Sequence, residues 1–191
     1  MIDNVRLVPL ENPRFVKPVK MLYTEDGVEK SWELVQAHDS VAALIYNRDA
    51  ETFVLVKQFR PPIFLHNSNG YTYELCAGIL DKDKSLEQTM AEEISEETGY
   101  RITADALRKV SVFFTAVGFA GSRQTLFYAE VGNADKIDSG GGIDNEQIEV
   151  VELSRHTIRE FMYDESLVKT SGLLFALYWF FDTKEHGCYK K

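Results

Sequence analysis

"CAGILDKDKSLEQTMAEEISEETGYR", residues 76 to 101, decides how the rest of the chain is read. Glu92, Glu93, Glu96 and Glu97 crowd four carboxylates into six positions. Like charges at helical spacing repel, so the segment is either a solvated helix face or a place where something positive binds. Ser85 suits the N-cap after the polar run "DKDK". Leu86, Met90 and Ile94 recur at four-residue spacing with Ala91 beside them, a stripe that packs on a sheet. The charged face lies roughly 100° around from Ile94, at Glu93 and Glu97. Glu93 and Glu97 are four apart and Glu93 and Glu96 three apart, so their carboxylates project to one side. They can share a hard divalent cation, which cancels their repulsion and leaves positions open for water and phosphate oxygens.

Composition narrows the classes of function. With 191 residues and 45% hydrophobic side chains the chain can bury a sizeable core, as one larger domain or one domain with an appendage. The apolar stretch "GLLFALYWFF" from Gly172 to Phe181 is too short to span a bilayer, and "MIDNVRLVPLENPRF" lacks the apolar run of a signal peptide. Cys76 and Cys188 make no disulfide framework. A cytoplasmic protein without membrane attachment is expected. The net charge is −9, from 21 basic and 30 acidic side chains, and the basic residues form no run, which argues against nucleic-acid binding. A small anionic substrate stays compatible where a cation or a few placed arginines offset the field. His38, His66, His156 and His186 are scattered without the spacing of a zinc site.

Along the chain, residues 1–36 read as short strands, "VKPVKMLYT" and "SWELVQA", around a Gly turn in "EDGVEK". "DSVAALIYN" and "TFVLVKQFR", separated by "RDAE", suit a central hairpin. "FRPPIFLHNSNGYTYELCAG" reads as a Pro-broken, Asn/Gly-rich loop leading into another strand. After the glutamate helix, "LRKVSVFFTAVGF" and "RQTLFYAEV" alternate as strands. A flexible "DSGGGIDNEQ" precedes the strand "IEVVEL", and "SRHTIREFMYD" and "TSGLLFALYWFFDTK" are helical patterns. The order implies an α+β fold with a mixed sheet.

Read outward, the glutamate segment resembles the Nudix hydrolase signature, in which a glycine, a glutamate, an Arg-Glu pair, a Glu-Glu pair and a second glycine recur at set spacing. Gly78, Glu93, Ile94, Glu96, Glu97 and Gly99 fall in register. Lys84 stands where the family has its first glutamate, Glu92 where it has arginine, and Tyr100 where it has an aliphatic residue. "SWELVQAHDSV", "VLVKQFRPP", "YELCAG", "GFAGSRQTLFYAEV" and "GGGIDNEQIEVVEL" extend the resemblance to the nucleoside diphosphate-sugar branch. The UDP-glucose pyrophosphatase type is nearest, then the ADP-ribose pyrophosphatases.

The resemblance implies a Nudix fold, a mixed sheet sandwiched between helices, over residues 37–191, with residues 1–36 as a β appendage that dimerises and helps bind the base. It implies metal-dependent hydrolysis of a nucleoside diphosphate sugar, UDP-glucose to UMP and glucose 1-phosphate, with ADP-ribose as the alternative substrate. A module of the same fold that binds nucleotides without hydrolysis is the reading from another class. By position, Glu93, Glu97 and the backbone carbonyl of Ala77 would hold Mg²⁺, or Mn²⁺ in its place, and Glu96 would be a ligand or an outer carboxylate. Glu146 matches a loop base, with Asp144 as fallback, and Gly140 to Gly142 would let that loop close over substrate. Its competing reading is an ordinary linker. Arg60 matches a phosphate-contacting arginine, against a surface salt bridge. Trp32 matches a base-stacking aromatic, against a core tryptophan. Arg123 and Gln124 would contact polar groups of the substrate or cap a turn. A symmetric homodimer follows from the appendage, which is too small to bury a core alone.

Overall fold

The computed structural model describes residues 2, 4–13, 16–81, 83–143 and 146–186. Two strands, β1 (Lys17–Glu25) and β2 (Val28–Gln36), pair antiparallel as a separate sheet. Asp26 and Gly27 both take positive φ, 52° and 78°, in their two-residue turn. That conformation matches the twist of a hairpin, and Asp-Gly adopts it readily.

The remaining strands form one seven-stranded mixed sheet: β3 (Ser40–Asn47), β4 (Thr52–Phe59), β5 (Tyr71–Glu74), β6 (Cys76–Ile79), β7 (Arg108–Thr115), β8 (Ser122–Val131) and β9 (Ile148–Ser154). Its path runs β5-β4-β3-β8-β7, with β6 added to β3 and β9 to β4; β3 and β8 are parallel, and the other pairs antiparallel. The β3–β4 pair is the expected central hairpin. Among the described residues four α-helices complete the fold: α1 (Pro61–Asn67), α2 (Leu86–Thr98), α3 (Ile158–Tyr163) and α4 (Ser171–His186).

Helix α1 corrects the reading of "FRPPIFLHNSNGYTYELCAG" as a loop before a strand. Pro61 and Pro62 occupy its first two positions, where a missing N–H costs nothing because no intrahelical partner exists there. Ser68 closes it in the left-handed region.

β3 and β4 are apolar at nearly every position because both faces of the sheet are covered. Val41, Ala43, Ile45, Val54 and Val56 pack with Met90 and Ile94 of α2, while Ala42, Leu44, Tyr46, Phe53 and Leu55 pack with α3 and α4. On α4 the buried Leu173, Ala176, Leu177, Phe180 and Phe181 follow the helical period. Phe180 meets Phe53 edge-on at 4.8 Å between centroids. The sheet is thus sandwiched between helices, as expected.

Helix α2 begins with a capping box. Ser85 Oγ accepts from the Gln88 backbone N–H, and Gln88 Oε1 accepts from the Ser85 N–H, both at 3.1 Å. Met90 and Ile94 are fully buried. Truncating Ile94 to Ala would cost about 2–5 kcal/mol and release the helix from the sheet. Among the described residues no helix is long and apolar enough to cross a membrane.

Candidate active site

The glutamate face of α2 lies against β6, and its members differ in environment. Glu92 is exposed, Glu93 and Glu96 are half-buried, and Glu97 is 5% exposed. The expectation of one charged face therefore needs correcting: Glu97 belongs to the interior. Its Oε2 accepts from the Ala77 backbone N–H at 3.1 Å, with the buried Cys76 thiol as a second donor. Burial pushes the Glu97 carboxyl up to about 7, the hydrogen bonds from Cys76 and Ala77 oppose that rise, and the charges of Glu93 and Glu146 add to it. Such a carboxylate calls for a nearby positive charge.

Gly78 explains how Glu93 reaches the strand. A Cβ at residue 78 would collide with the Glu93 carboxylate, so only glycine lets that side chain lie across β6. Glu93, Glu97 and the Ala77 carbonyl offer hard oxygen donors only, a set that fits a magnesium-like cation. Among the described residues, no three acidic, histidine or cysteine side chains converge closely enough to enclose an ion by themselves.

The departures from the signature have local explanations. Lys84 donates to both Glu92 carboxylate oxygens, at 2.8 and 2.6 Å. A pair with Glu at one position and Arg at the other is thus replaced by a pair of reversed charge. Tyr100 is buried; its hydroxyl accepts from Asn47 Nδ2 at 3.1 Å and donates to Glu152 Oε1 at 3.0 Å. Its phenol links β3 to β9.

Beside this cluster a cleft of about 770 Å³ opens on the α4 side of the sheet, lined by Arg60, Glu74, Ala77, Phe119, Gln124 and the start of α4, among others. Arg60 is the N-cap residue of α1. Its Nε and Nη2 donate to the two oxygens of Glu74, each at 2.7 Å. Thr72 Oγ1 donates to Glu74 as well. The ion pair offered as the competing reading of Arg60 is present, yet it lies in the cleft wall and leaves the Nη1 edge of the guanidinium available. Hydrogen bonding to Glu74 raises the Arg60 pKa most, and the charges of Glu97 and Glu146 also act on it. Arg60, Glu97 and Glu146 share one electrostatic region.

Glu146 is exposed at the tip of the loop before β9, and its Oε2 accepts from the Ile143 N–H at 3.3 Å. The glycine run ties its loop to the end of α2. Gly141 and Gly142 donate to the Glu97 and Glu96 carbonyls at 2.9 and 3.0 Å, satisfying the end of α2, and a Cβ at Gly140 would strike the Glu97 carbonyl. These glycines dock the root of the loop against the end of α2. Asp144 lies outside the described residues.

Arg123 and Gln124 diverge because neighbours on a strand face opposite ways. Gln124 lines the cleft and donates to Ser40 Oγ at 3.1 Å. Arg123 does not line it: its Nε and backbone N–H donate to Asp39 at 3.1 and 2.8 Å, tying β8 to the start of β3. Trp32, 54% exposed, is neither a core residue nor part of the cleft lining; its Nε1 donates to the Gly118 carbonyl at 2.8 Å. Glu74 and Phe119 are among the cleft residues that sequence reasoning missed. The acidic residue inside "YELCAG" was the available signal for Glu74.

A family model described as the NUDIX domain matches residues 36–178. The chain is 38% identical over 202 aligned residues to a protein of Bos taurus named uridine diphosphate glucose pyrophosphatase NUDT14, with 91% of each chain covered. It is 36% identical to the protein of that name in Mus musculus, with 94% of each covered. A GDP-mannose pyrophosphatase of Cronobacter sakazakii is 37% identical over 69% of each chain. The family match spans most of the chain and contains the Glu93–Glu97 helix, Gly78, Arg60 and the Glu146 loop, so the chain belongs to the Nudix family of hydrolases that cleave diphosphate linkages.

Proposed function

We propose that this protein hydrolyses the diphosphate of a nucleoside diphosphate sugar, UDP-glucose foremost, to a nucleoside monophosphate and a sugar 1-phosphate. The observation that carries this reading is the placement of Arg60 in the wall of a substrate-sized cleft, within electrostatic reach of the buried Glu97 and of Glu146. The two relatives named as UDP-glucose pyrophosphatases, matched over nine-tenths of their length, support the choice of sugar nucleotide.

Nudix hydrolases work with divalent metal ions. Here Glu93, Glu97 and the Ala77 carbonyl would hold Mg²⁺, with Mn²⁺ as a substitute and Glu96 as a further ligand or outer carboxylate. When bound, the ion neutralises the diphosphate and acidifies water. The chain's own residues do the rest. Arg60, held flat by Glu74, presents its free edge to the phosphate oxygens. Glu146 takes a proton from the attacking water, whose oxygen bonds to one phosphorus as the bridging P–O bond breaks and its electrons leave with the other phosphate. Gln124 meets polar groups of the substrate from the cleft floor.

Residues 1–36 serve as an appendage that joins two copies in a homodimer. A two-stranded hairpin is marginal by itself, and this one leaves Met21, Leu22 and Val28 exposed, surface that a second copy would cover. Incubating the protein with UDP-glucose, GDP-mannose and ADP-ribose in Mg²⁺, with a phosphatase present to release product phosphate, tests the activity. UDP-glucose is expected to turn over fastest; phosphate release from none of the three would leave a nucleotide-binding module instead.

A further inference from the structure

We infer that Gly142 is a positioning residue for Glu146: it fastens the loop to the end of α2 and leaves the space in which the Glu146 side chain lies. The inference rests on the proposed role of Glu146 as the base. Helix α2 ends in carbonyls that have no partner within the helix. Gly142 N–H donates to the Glu96 carbonyl at 3.0 Å, and Gly141 N–H to the Glu97 carbonyl at 2.9 Å. The loop is thus fixed to the backbone of two residues assigned to the cation. Ile148 N–H, at the start of β9, returns to the Gly141 carbonyl at 3.3 Å and closes the loop at its base.

Glu146 lies over this glycine. A Cβ at residue 142 would sit 2.6 Å from Glu146 Oε2 and 2.7 Å from Glu146 Cβ. Turning the carboxylate aside relieves only the first collision, because the backbone fixes the Glu146 Cβ. The φ of Gly142, 84°, also favours glycine. Ile143 N–H donates to Glu146 Oε2 at 3.3 Å, and Glu146 N–H donates to the Ile143 carbonyl at 3.0 Å, so the side chain folds back over residue 142. Gly78 makes the same provision for Glu93 on β6. Electrostatics alone would not keep Glu146 there. Its charge adds to that of Glu93 around Glu97, and the C-terminal end of α2 is the negative end of the helix. Backbone hydrogen bonds hold the carboxylate where repulsion would move it away.

The test measures kcat and KM for UDP-glucose, UMP affinity by calorimetry and melting temperature in the full-length protein and in Gly142→Ala, Gly142→Asn, Glu146→Ala and the double variant Gly142→Ala/Glu146→Ala. Glu146→Ala is expected to lower kcat ~100-fold or more, the scale of a lost general base. Gly142→Ala is expected to lower kcat roughly 10- to 100-fold, as when a reacting group is misplaced by about 1 Å, with KM and UMP affinity kept. Gly142→Asn retains the colliding Cβ but accepts positive φ more readily. It is expected to lose kcat equally while keeping more of the melting temperature. Without Glu146 the added methyl has nothing to displace, so Gly142→Ala is then expected to change kcat by no more than about two-fold. Wild-type kcat in Gly142→Ala or Gly142→Asn, or a Gly142→Ala loss as large without Glu146 as with it, overturns the inference alone. Wild-type kcat in Glu146→Ala overturns the assignment of the base beneath it.

Discussion

The Glu97 carboxylate accepts a hydrogen bond from the Ala77 backbone N–H at 3.1 Å, joining the last turn of α2 to the middle of β6. One side chain therefore anchors the helix and brings a carboxylate beside the Ala77 carbonyl. Glu97→Gln keeps the shape and the acceptor but removes the charge. We predict a fall in kcat of at least ~100-fold, the scale of losing a charge-stabilising group, with melting temperature kept. Steady-state assays with and without EDTA check this; full wild-type activity in EDTA would refute the metal assignment.

The Arg60–Glu74 pair predicts a separable effect on binding. Glu74→Gln retains the fold of the cleft wall but releases the guanidinium from its bidentate partner. KM for UDP-glucose should rise roughly 10-fold, as expected for a lost charge-assisted contact, with a smaller change in kcat. An unchanged KM would show that Arg60 needs no orientation.

The reversed pair Lys84–Glu92 predicts compensation. Glu92→Arg alone sets two cations together, and Lys84→Glu alone sets two anions together. The double exchange Lys84→Glu/Glu92→Arg should recover stability, with a coupling of about 0.5–1 kcal/mol for this exposed pair. Activity should stay within a few-fold throughout. A loss of ~100-fold or more in Glu92→Arg, the scale of a lost charge-stabilising group, would instead make Glu92 a metal ligand.

Acid sensitivity should come in part from Glu152. Burial alone would push this carboxyl up, but hydrogen bonds from Lys136 and Tyr100, the Lys136 charge and Thr52 hold it below its usual 4.5. A depressed carboxyl contributes stability that is present above its unfolded value and lost as pH falls through its folded value. Glu152→Gln should therefore lower the melting temperature by several degrees at pH 7, for about 1–2 kcal/mol. The gap to wild type should close as pH drops below about 4.5. A gap that is constant from pH 7 to 3 would contradict the ionic origin.

The appendage predicts an oligomeric consequence. Full-length protein should elute as a dimer by light scattering, and removal of residues 1–36 should give monomers with raised KM. A monomeric full-length protein, or a truncated one that is still dimeric or keeps the wild-type KM, would end the proposal of a dimerising arm.

Local periodicity carried much of this architecture. Ser85, Met90 and Ile94 mark α2 because capping and the apolar stripe are written within a few turns of chain. The apolar runs of β3 and β4, and the register of Gly78 with Glu93, are equally legible. Other features depend on residues distant in sequence. Arg60 and Glu74 meet because β4 and β5 pair, and Arg123 turns to Asp39, 84 residues away, because β8 lies parallel to β3. Whether Glu97 is solvated or buried is decided by β6 lying under the helix, which no helical period encodes. The same holds for the cleft aromatic. "SWEL" and "VGFAG" each offer a ring, and only the docking of the hairpin onto the β7–β8 loop puts Phe119 in the cleft wall and Trp32 behind it. Short-range patterns set which elements form, because their interactions close within a turn or a strand pair. Burial, ion-pair partners and the lining of the cleft were decided by tertiary contacts, because each needs atoms from chain segments brought together only by the folded sheet.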